Sequence, residues 1–298
     1  MSLSYVVVVV IAVVIAILGL WARRLARQVK EMTEQPVAGA IAPGMPTHNG
    51  PYPETACLIC ASPARSLAYL DFNKTCEDGK GPIFPKAGIP VEYLQCSGCG
   101  FIFAPMFQAW SLKDFETWIY NKDYPLTDPD YLTARPAVSA NAIQYIFGDK
   151  KERIRHLDYG GGNGEMSRQL KALGWDSSSY DPFADPDVDV TSLGKFDLIT
   201  AVEVIEHVPD PQQFMQAVMQ FLADDGVIVI STLLSDHSFQ PGGLDWWYAS
   251  PRNGHISLYS QNSLGELGRR HGFEHRSFNH LQLLNRKIPS WAPEMFPS

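Results

Sequence analysis

The sequence has no long basic run. Its 298 residues carry 24 Lys and Arg against 32 Asp and Glu, a formal net charge of −8. A protein that grips nucleic acid through its phosphates needs the opposite balance, so no nucleic-acid partner is expected. No internal repeat is present. Cysteine is scarce: all five lie between Cys57 and Cys99. Charge is absent from Leu3 to Trp21, and no basic residue precedes that run. This order argues against a cleaved signal peptide, whose basic residues come before its apolar segment.

The uncharged run from Leu3 to Trp21 is rich in Val and Ile. As a helix it would be roughly 28 Å long, close to a bilayer core. Arg23, Arg24, Arg27 and Lys30 follow at once. The positive-inside rule then places the N-terminus outside and the rest of the chain in the cytoplasm. The expectation is a single-pass membrane protein: residues 1–22 a transmembrane helix, and 23–53 a basic stem and Pro/Gly linker.

Residues 54–104 hold Cys57-x-x-Cys60 and Cys96-x-x-Cys99-Gly100. Two such pairs can enclose a tetrahedral Zn²⁺ with Cys57, Cys60, Cys96 and Cys99 as ligands, which predicts a small zinc-ribbon-like domain with a structural ion. Unmetallated thiols or disulfides are the alternatives, and a cytosolic setting disfavours disulfides. Cys76 has no partner in this scheme. Residues 105–150 are rich in aromatics, including Trp110, Phe115, Trp118, Tyr120, Tyr124 and Tyr131. Either they pack the ribbon onto the main domain, the favoured reading for most of them, or the tyrosines line a lid.

The main domain announces itself at Leu157-Asp158-Tyr159-Gly160-Gly161-Gly162-Asn163-Gly164, between an apolar run and a helical pattern. Glycine permits the turn and lets a ligand lie against bare backbone. A leading carboxylate suits a cationic ligand. The dinucleotide fingerprint is not met, because Glu165 stands where a small residue is needed. The pattern resembles motif I of class I S-adenosylmethionine (SAM)-dependent methyltransferases. Asp181 closes the next strand-like run. Phe196-Asp197-Leu198 through Glu203-Val204-Ile205-Glu206-His207 and the later His255-Ile256-Ser257 resemble the ubiquinone-type O-methyltransferase branch.

The resemblance covers roughly residues 150–285 and implies a SAM site at Asp158, Gly160, Gly162, Gly164, Asp181, Asp189 and Glu203. Arg135 is a candidate partner for the SAM carboxylate. The expected fold is α/β: a Rossmann-like, mostly parallel sheet with helices on both faces over residues 151–286, preceded by the ribbon and the anchor. Strands are expected at about 154–159, 177–181, 196–201 and 226–231, with a final antiparallel strand near 281–286. The stretch 181–196 is too short for a helix and a full strand. Residues 287–298, with three prolines, are expected to trail over the surface as a C-terminal tail.

Histidine is the natural base near neutral pH, which makes His207 and His255 the candidate catalytic residues. His156, His271, His275 and His280 read as structural or exposed. Trp246, Trp247 and Tyr248 could wall an acceptor pocket, or the tryptophans could reach the membrane interface. The leading expectation is SAM-dependent O-methylation of a small-molecule or lipid- or sugar-linked acceptor at the cytoplasmic membrane face. The alternative is a non-catalytic SAM-binding or zinc-ribbon scaffold protein, which the intact motif disfavours.

Overall fold

A computed structural model describes residues 44–48, 50–81, 83–237, 244–278 and 281–296. The expected anchor, the basic stem and the first part of the linker lie outside the described residues. Among the described residues, no helix is long and apolar enough to cross a membrane.

The chain first makes four strands: β1 (Thr55–Ala56), β2 (Pro63–Asp71), β3 (Pro90–Cys96) and β4 (Ile102–Phe103). Helices Leu112–Trp118 and Ala134–Phe147 follow. Next come β5 (Arg155–Tyr159), helix Glu165–Ala172, β6 (Asp176–Tyr180), β7 (Phe196–Val202), helix Pro211–Met219 and β8 (Leu222–Ser231). The last elements are β9 (Ser257–Leu258), helix Gln261–Arg270, β10 (Glu274–Phe278) and β11 (Leu281–Asn285).

The main sheet has six strands in the order β10-β11-β8-β7-β5-β6. The β6, β5, β7 and β8 ladders are parallel, and β11 and β10 join antiparallel. Alternation along β7 and β8 sends apolar side chains to both faces, as expected for a sheet covered on each side. Ile199, Ala201, Ile228 and Ile230 meet Phe214, Met215 and Val218 of helix Pro211–Met219. Leu198, Val227 and Val229 meet Ile143 and Phe147 of helix Ala134–Phe147 and Leu170 of helix Glu165–Ala172. Between β6 and β7, only a short 3₁₀ turn forms, Val190–Ser192, so this corner is abbreviated as its length requires.

Two features depart from the expected organisation. The ribbon is not a separate bead: β9 pairs with β4 and completes the five-stranded sheet β1-β2-β3-β4-β9. The tail does not trail either. Trp291, Ala292 and Phe296 are buried in the cluster that contains Phe147 and Leu170. Burying two large aromatics outweighs the prolines' bias toward an extended surface path.

Candidate active site and cysteine cluster

The cofactor end of the site is made by backbone. After β5, Gly160, Gly162 and Gly164 all have positive φ (74°, 54° and 73°), conformations that a side chain disfavours. Gly161 is constrained differently: a Cβ there would sit 2.4 Å from both Asp158 Oδ2 and Ser179 Oγ. Asp158 lies beneath the turn, 4% exposed. Burial, and then the nearby Asp181, push its pKa up to about 7. Asp181, at the end of β6, binds the same turn: Oδ2 accepts the Gly162 N–H at 2.9 Å. Its Oδ1 accepts from Phe183 N (2.8 Å) and Ala184 N (3.2 Å). Both are where a strand-end nucleoside cofactor is held in doubly wound sheets. Asp189 is exposed and caps its own turn through Thr191 N (3.0 Å) and Thr191 Oγ1 (2.7 Å). Among the described residues, no hydrogen bond joins it to the glycine turn. Arg135 commits its guanidinium fork to Asp128, with two bonds of 2.7 Å.

The acceptor end is made by side chains from three distant segments. Glu203 follows β7 with φ 52°, a strained value for a non-glycine residue. Glu206 is fully buried. The Tyr248 hydroxyl donates to Glu206 Oε1 and lies 3.0 Å from Glu203 Oε2. One phenolic proton cannot satisfy two anions; burial raises both carboxyls' pKa values, and the charge of Glu203 raises that of Glu206 further. His207 and His255 face each other with ring centroids 4.8 Å apart. Burial pushes His207 down to about 3, helped by Arg135, and pushes His255 well below its ordinary value. Both rings are therefore neutral at pH 7. His255 Nδ1 lies 2.7 Å from the Tyr248 carbonyl; an oxygen there can only accept, which leaves Nε2 with the lone pair. Among the described residues, Glu206 Oε2 and His207 Nδ1 are buried without a hydrogen-bond partner.

Tyr120 bridges the two ends, its ring 5.4 Å from Phe183 and 6.1 Å from His207. Gly254 makes room for it, since a Cβ there would meet His207 Nδ1 at 2.9 Å and Tyr120 Oη at 3.1 Å. Tyr124 meets Tyr120 edge to face, and Tyr131 meets Tyr124 in the same way. Trp246 and Tyr248 are buried and Trp247 is 54% exposed. Cys76 sits beside the acceptor end, its Sγ 2.9 Å from Ser250 Oγ and 3.7 Å from His255 Nδ1. Three other histidines are structural: His156 bonds Ser177 and Thr200, His271 bonds Gln212, and His275 bonds Gln282. Sequence reasoning passed over Gly161 and the polar role of Tyr248. The unbroken glycine run at 160–162 was the available signal for the first; the second depends on folding alone.

Among the described residues, two groups of side chains could hold a metal. Carboxylate and imidazole atoms of Glu206, His207 and His255 lie within 4.8 Å of one another, a donor set that suits a divalent cation. The four paired cysteines form the other group. Cys57 Sγ is 3.7 Å from Cys99 Sγ, and Cys60 Sγ is 3.3 Å from Cys96 Sγ. Sulfurs about 2.3 Å from a tetrahedral zinc would stand roughly 3.8 Å apart, so the thiols need only small shifts to close on one. Backbone N–H groups of Ile59 and Gly98 point at Cys57 and Cys96 sulfurs, each at 3.3 Å. Positive φ at Ala61 (63°) and Gly100 (77°) turns each knuckle. All five cysteines are free. The knuckles are tied to the main domain: Gln212 donates to Leu58 O (2.9 Å), Arg270 to Cys60 O (2.9 Å) and Ser260 to Cys99 O (2.7 Å).

A doubly wound sheet, an acidic glycine turn and a ribose-type acid at the next strand end define a nucleoside-cofactor-binding α/β domain. Comparison with known families is more specific: residues 131–277 match a methyltransferase domain family. The chain thus carries a class I SAM-dependent methyltransferase domain.

Curated relatives include two ubiquinone biosynthesis O-methyltransferases. That of Glaesserella parasuis serovar 5 (strain SH0165) is 46% identical over 44 residues, 15% of this chain and 19% of the relative. That of Caulobacter sp. (strain K31) is 29% identical over 105 residues, 28% of this chain and 42% of the relative. The chain therefore spans less than half the length of either relative. Among solved structures, the 1,6-didemethyltoxoflavin-N1-methyltransferase of Burkholderia thailandensis, determined with S-adenosylhomocysteine, aligns with TM-score 0.41 and 18% identity, over 63% of this chain and 95% of that one. The pyocyanin biosynthetic protein PhzM aligns with TM-score 0.41 and 13% identity, over 57% and 60%.

Proposed function

We propose that the protein transfers the methyl group of SAM to a hydroxyl oxygen of a small-molecule or lipid- or sugar-linked acceptor. The acceptor lies between the glycine turn and the pocket of Glu203, Glu206, His207 and His255. One observation carries this reading: two neutral histidines, His255 buried and His207 partly buried, face each other beside carboxylate and imidazole atoms without a partner among the described residues. Methyl transfer from a sulfonium is an in-line displacement, and holding donor and acceptor aligned supplies much of the rate. SAM lies along Gly160–Gly164, its ribose hydroxyls donate to Asp181, and its amino end faces Asp158. Tyr120 closes the space between donor and acceptor against water.

The acceptor proton passes from oxygen to a histidine lone pair, at His255 Nε2 or on His207. An imidazole weakened by burial removes that proton only from an acidified hydroxyl. A phenolic acceptor meets this condition. A divalent cation held by Glu206, His207 and His255 would be a separate route: it would occupy the histidine lone pairs and lower the pKa of a bound hydroxyl, whose proton would then pass to solvent. The cysteine cluster holds a structural zinc and takes no part in the chemistry.

The uncharged N-terminal run supports a placement on the cytoplasmic face of a membrane, with the N-terminus outside. The test uses the full chain in detergent with methyl-labelled SAM, offered a lipid extract and a polar-metabolite extract in parallel. Label entering the lipid fraction supports a membrane-borne acceptor, and label entering the polar fraction supports a water-soluble one. A folded protein that binds SAM and labels neither would return the weight to the scaffold reading.

A further inference from the structure

Glu92 lies in β3, far along the ribbon from the cysteine knuckles, and is 3% exposed. A buried carboxylate is costly unless its oxygens are paired. Oε2 accepts the Tyr52 N–H at 2.7 Å, but Oε1 has no hydrogen-bond partner. Tyr69 stands directly across the ladder from Glu92. A hydrogen bond from its hydroxyl to the Glu92 carboxylate raises the Tyr69 pKa, while Oε1 itself is left without a partner among the described residues.

Beside this carboxylate is a cavity of about 230 Å³ whose walls include His48, Tyr52, Tyr69, Pro90 and Met106. The His48 and Tyr52 rings stack at 3.9 Å between centroids. Among the described residues, no Lys or Arg lines the cavity. Aromatic faces carry partial negative charge, so rings and carboxylate favour the same sign of guest. One carboxylate among apolar walls lacks the shell of oxygens that a hard metal ion requires. A cation that carries its own alkyl surface matches both the walls and the charge. We propose that this cavity binds an organic ammonium group, with Glu92 as counter-ion and the rings of His48, Tyr52 and Tyr69 as walls.

This site is independent of the methyl-transfer reading. Part of its wall is the chain segment that leads from the linker, which Trp110 also holds by donating from Nε1 to Pro46 O at 3.1 Å. A guest would therefore fasten the linker to the ribbon. The ammonium could come from a free amine or from a phospholipid headgroup.

The test is calorimetric titration of the full chain, in a maltoside detergent, with tetramethylammonium, choline and the uncharged choline isostere 3,3-dimethylbutanol. Both cations should bind saturably, with a Kd of about 1 mM, and the isostere at least about tenfold more weakly. Glu92→Gln keeps an acceptor for the Tyr52 N–H and removes the charge. It should lower cation affinity about tenfold or more while the melting temperature and SAM binding hold. Equal binding of the isostere, or unchanged binding by Glu92→Gln, overturns the proposal. If that variant fails to fold, Tyr69→Leu serves, since its ring is half exposed; unchanged cation binding there overturns it equally. With the site established, competition by phosphatidylcholine but not phosphatidylglycerol vesicles assigns a headgroup, and competition by neither assigns a free amine.

Discussion

The two ends of the candidate site are built differently. At the cofactor end, one continuous stretch folds into a glycine turn, and the side chains that matter are tied off by backbone N–H groups, as Asp181 is by Gly162, Phe183 and Ala184. At the acceptor end, segments near residues 120, 203–207 and 248–255 converge, and polar atoms are left over at Glu206 Oε2 and His207 Nδ1. A backbone-built site is largely satisfied before its ligand arrives, with only the Ser179 hydroxyl left over beneath the turn among the described residues. A side-chain-built site with buried orphans is under tension that a ligand relieves. The first arrangement suits a cofactor common to many reactions, and the second suits the discrimination of one acceptor.

The ribbon supports only one of these ends. Tyr93 donates from its hydroxyl to the His255 carbonyl at 2.7 Å, and Ala104 N donates to Ile256 O at 2.9 Å. No comparable bond reaches the glycine turn from the ribbon among the described residues. Removing the proposed zinc should therefore separate the two ends, with the largest effect expected of any change considered. Structural zinc contributes on the order of 10 kcal/mol to small domains. Chelation, or Cys96→Ser, should unfold the ribbon and abolish methyl transfer, while SAM still binds within about tenfold of its original affinity. Elemental analysis should give one zinc per chain. Loss of SAM binding in step with the zinc would show that the two ends are one cooperative unit.

Within the acceptor end, His207→Ala should lower the transfer rate by about 10² to 10⁴, the usual range for a lost proton acceptor. Calorimetric SAM affinity should stay within about twofold. A rate that survives the substitution would leave positioning alone as the source of catalysis and remove His207 from the mechanism. At the cofactor end the pattern inverts. Gly161→Ala forces a methyl group against Asp158 and Ser179, both packed under the turn. Overpacking of this kind costs about 1–3 kcal/mol, so SAM affinity should fall about 10- to 100-fold, with the histidine pair unaltered. If Gly161→Ala binds SAM normally, the turn is more plastic than its contacts imply.

The same contrast explains what was legible in the sequence. Asp158, the glycines and Asp181 are local to two strand ends, and the spacing of four cysteines encodes two knuckles directly. His207 and His255 could be named from the sequence, but their facing geometry could not, because nearly fifty residues separate them and only the fold brings them together. Tyr248 read as part of an apolar wall; its hydroxyl's grip on two carboxyls is a tertiary fact. The ribbon's fifth strand is a two-residue pairing between Ile102–Phe103 and Ser257–Leu258, too short to leave a pattern. The tail was misread because its prolines were weighed and its Trp291 and Phe296 were not.

The smallest predicted effect probes Asp158, the buried carboxyl beneath the glycine turn. Asp158 titrates near 7 because burial disfavours its charge. In the ligand-free protein this works against folding: the unfolded chain loses the proton near pH 4, the folded chain near 7. Stability therefore falls as pH rises through that window and is level above it. A cationic amino group above Asp158 favours the ionised form, so SAM binding must expel a proton wherever the free protein still holds it. Affinity should weaken by up to about tenfold per unit as pH drops below 7, and flatten above about 8. Asp158→Asn should bind more weakly at pH 8 and show no such slope. Calorimetry in buffers of different ionisation enthalpy would count the protons directly. Release approaching one proton at pH 6 and none at pH 8.5 would place the SAM amino group over Asp158. A slope that persists in Asp158→Asn would move the titrating group elsewhere and leave Asp158 a purely structural anchor for the turn.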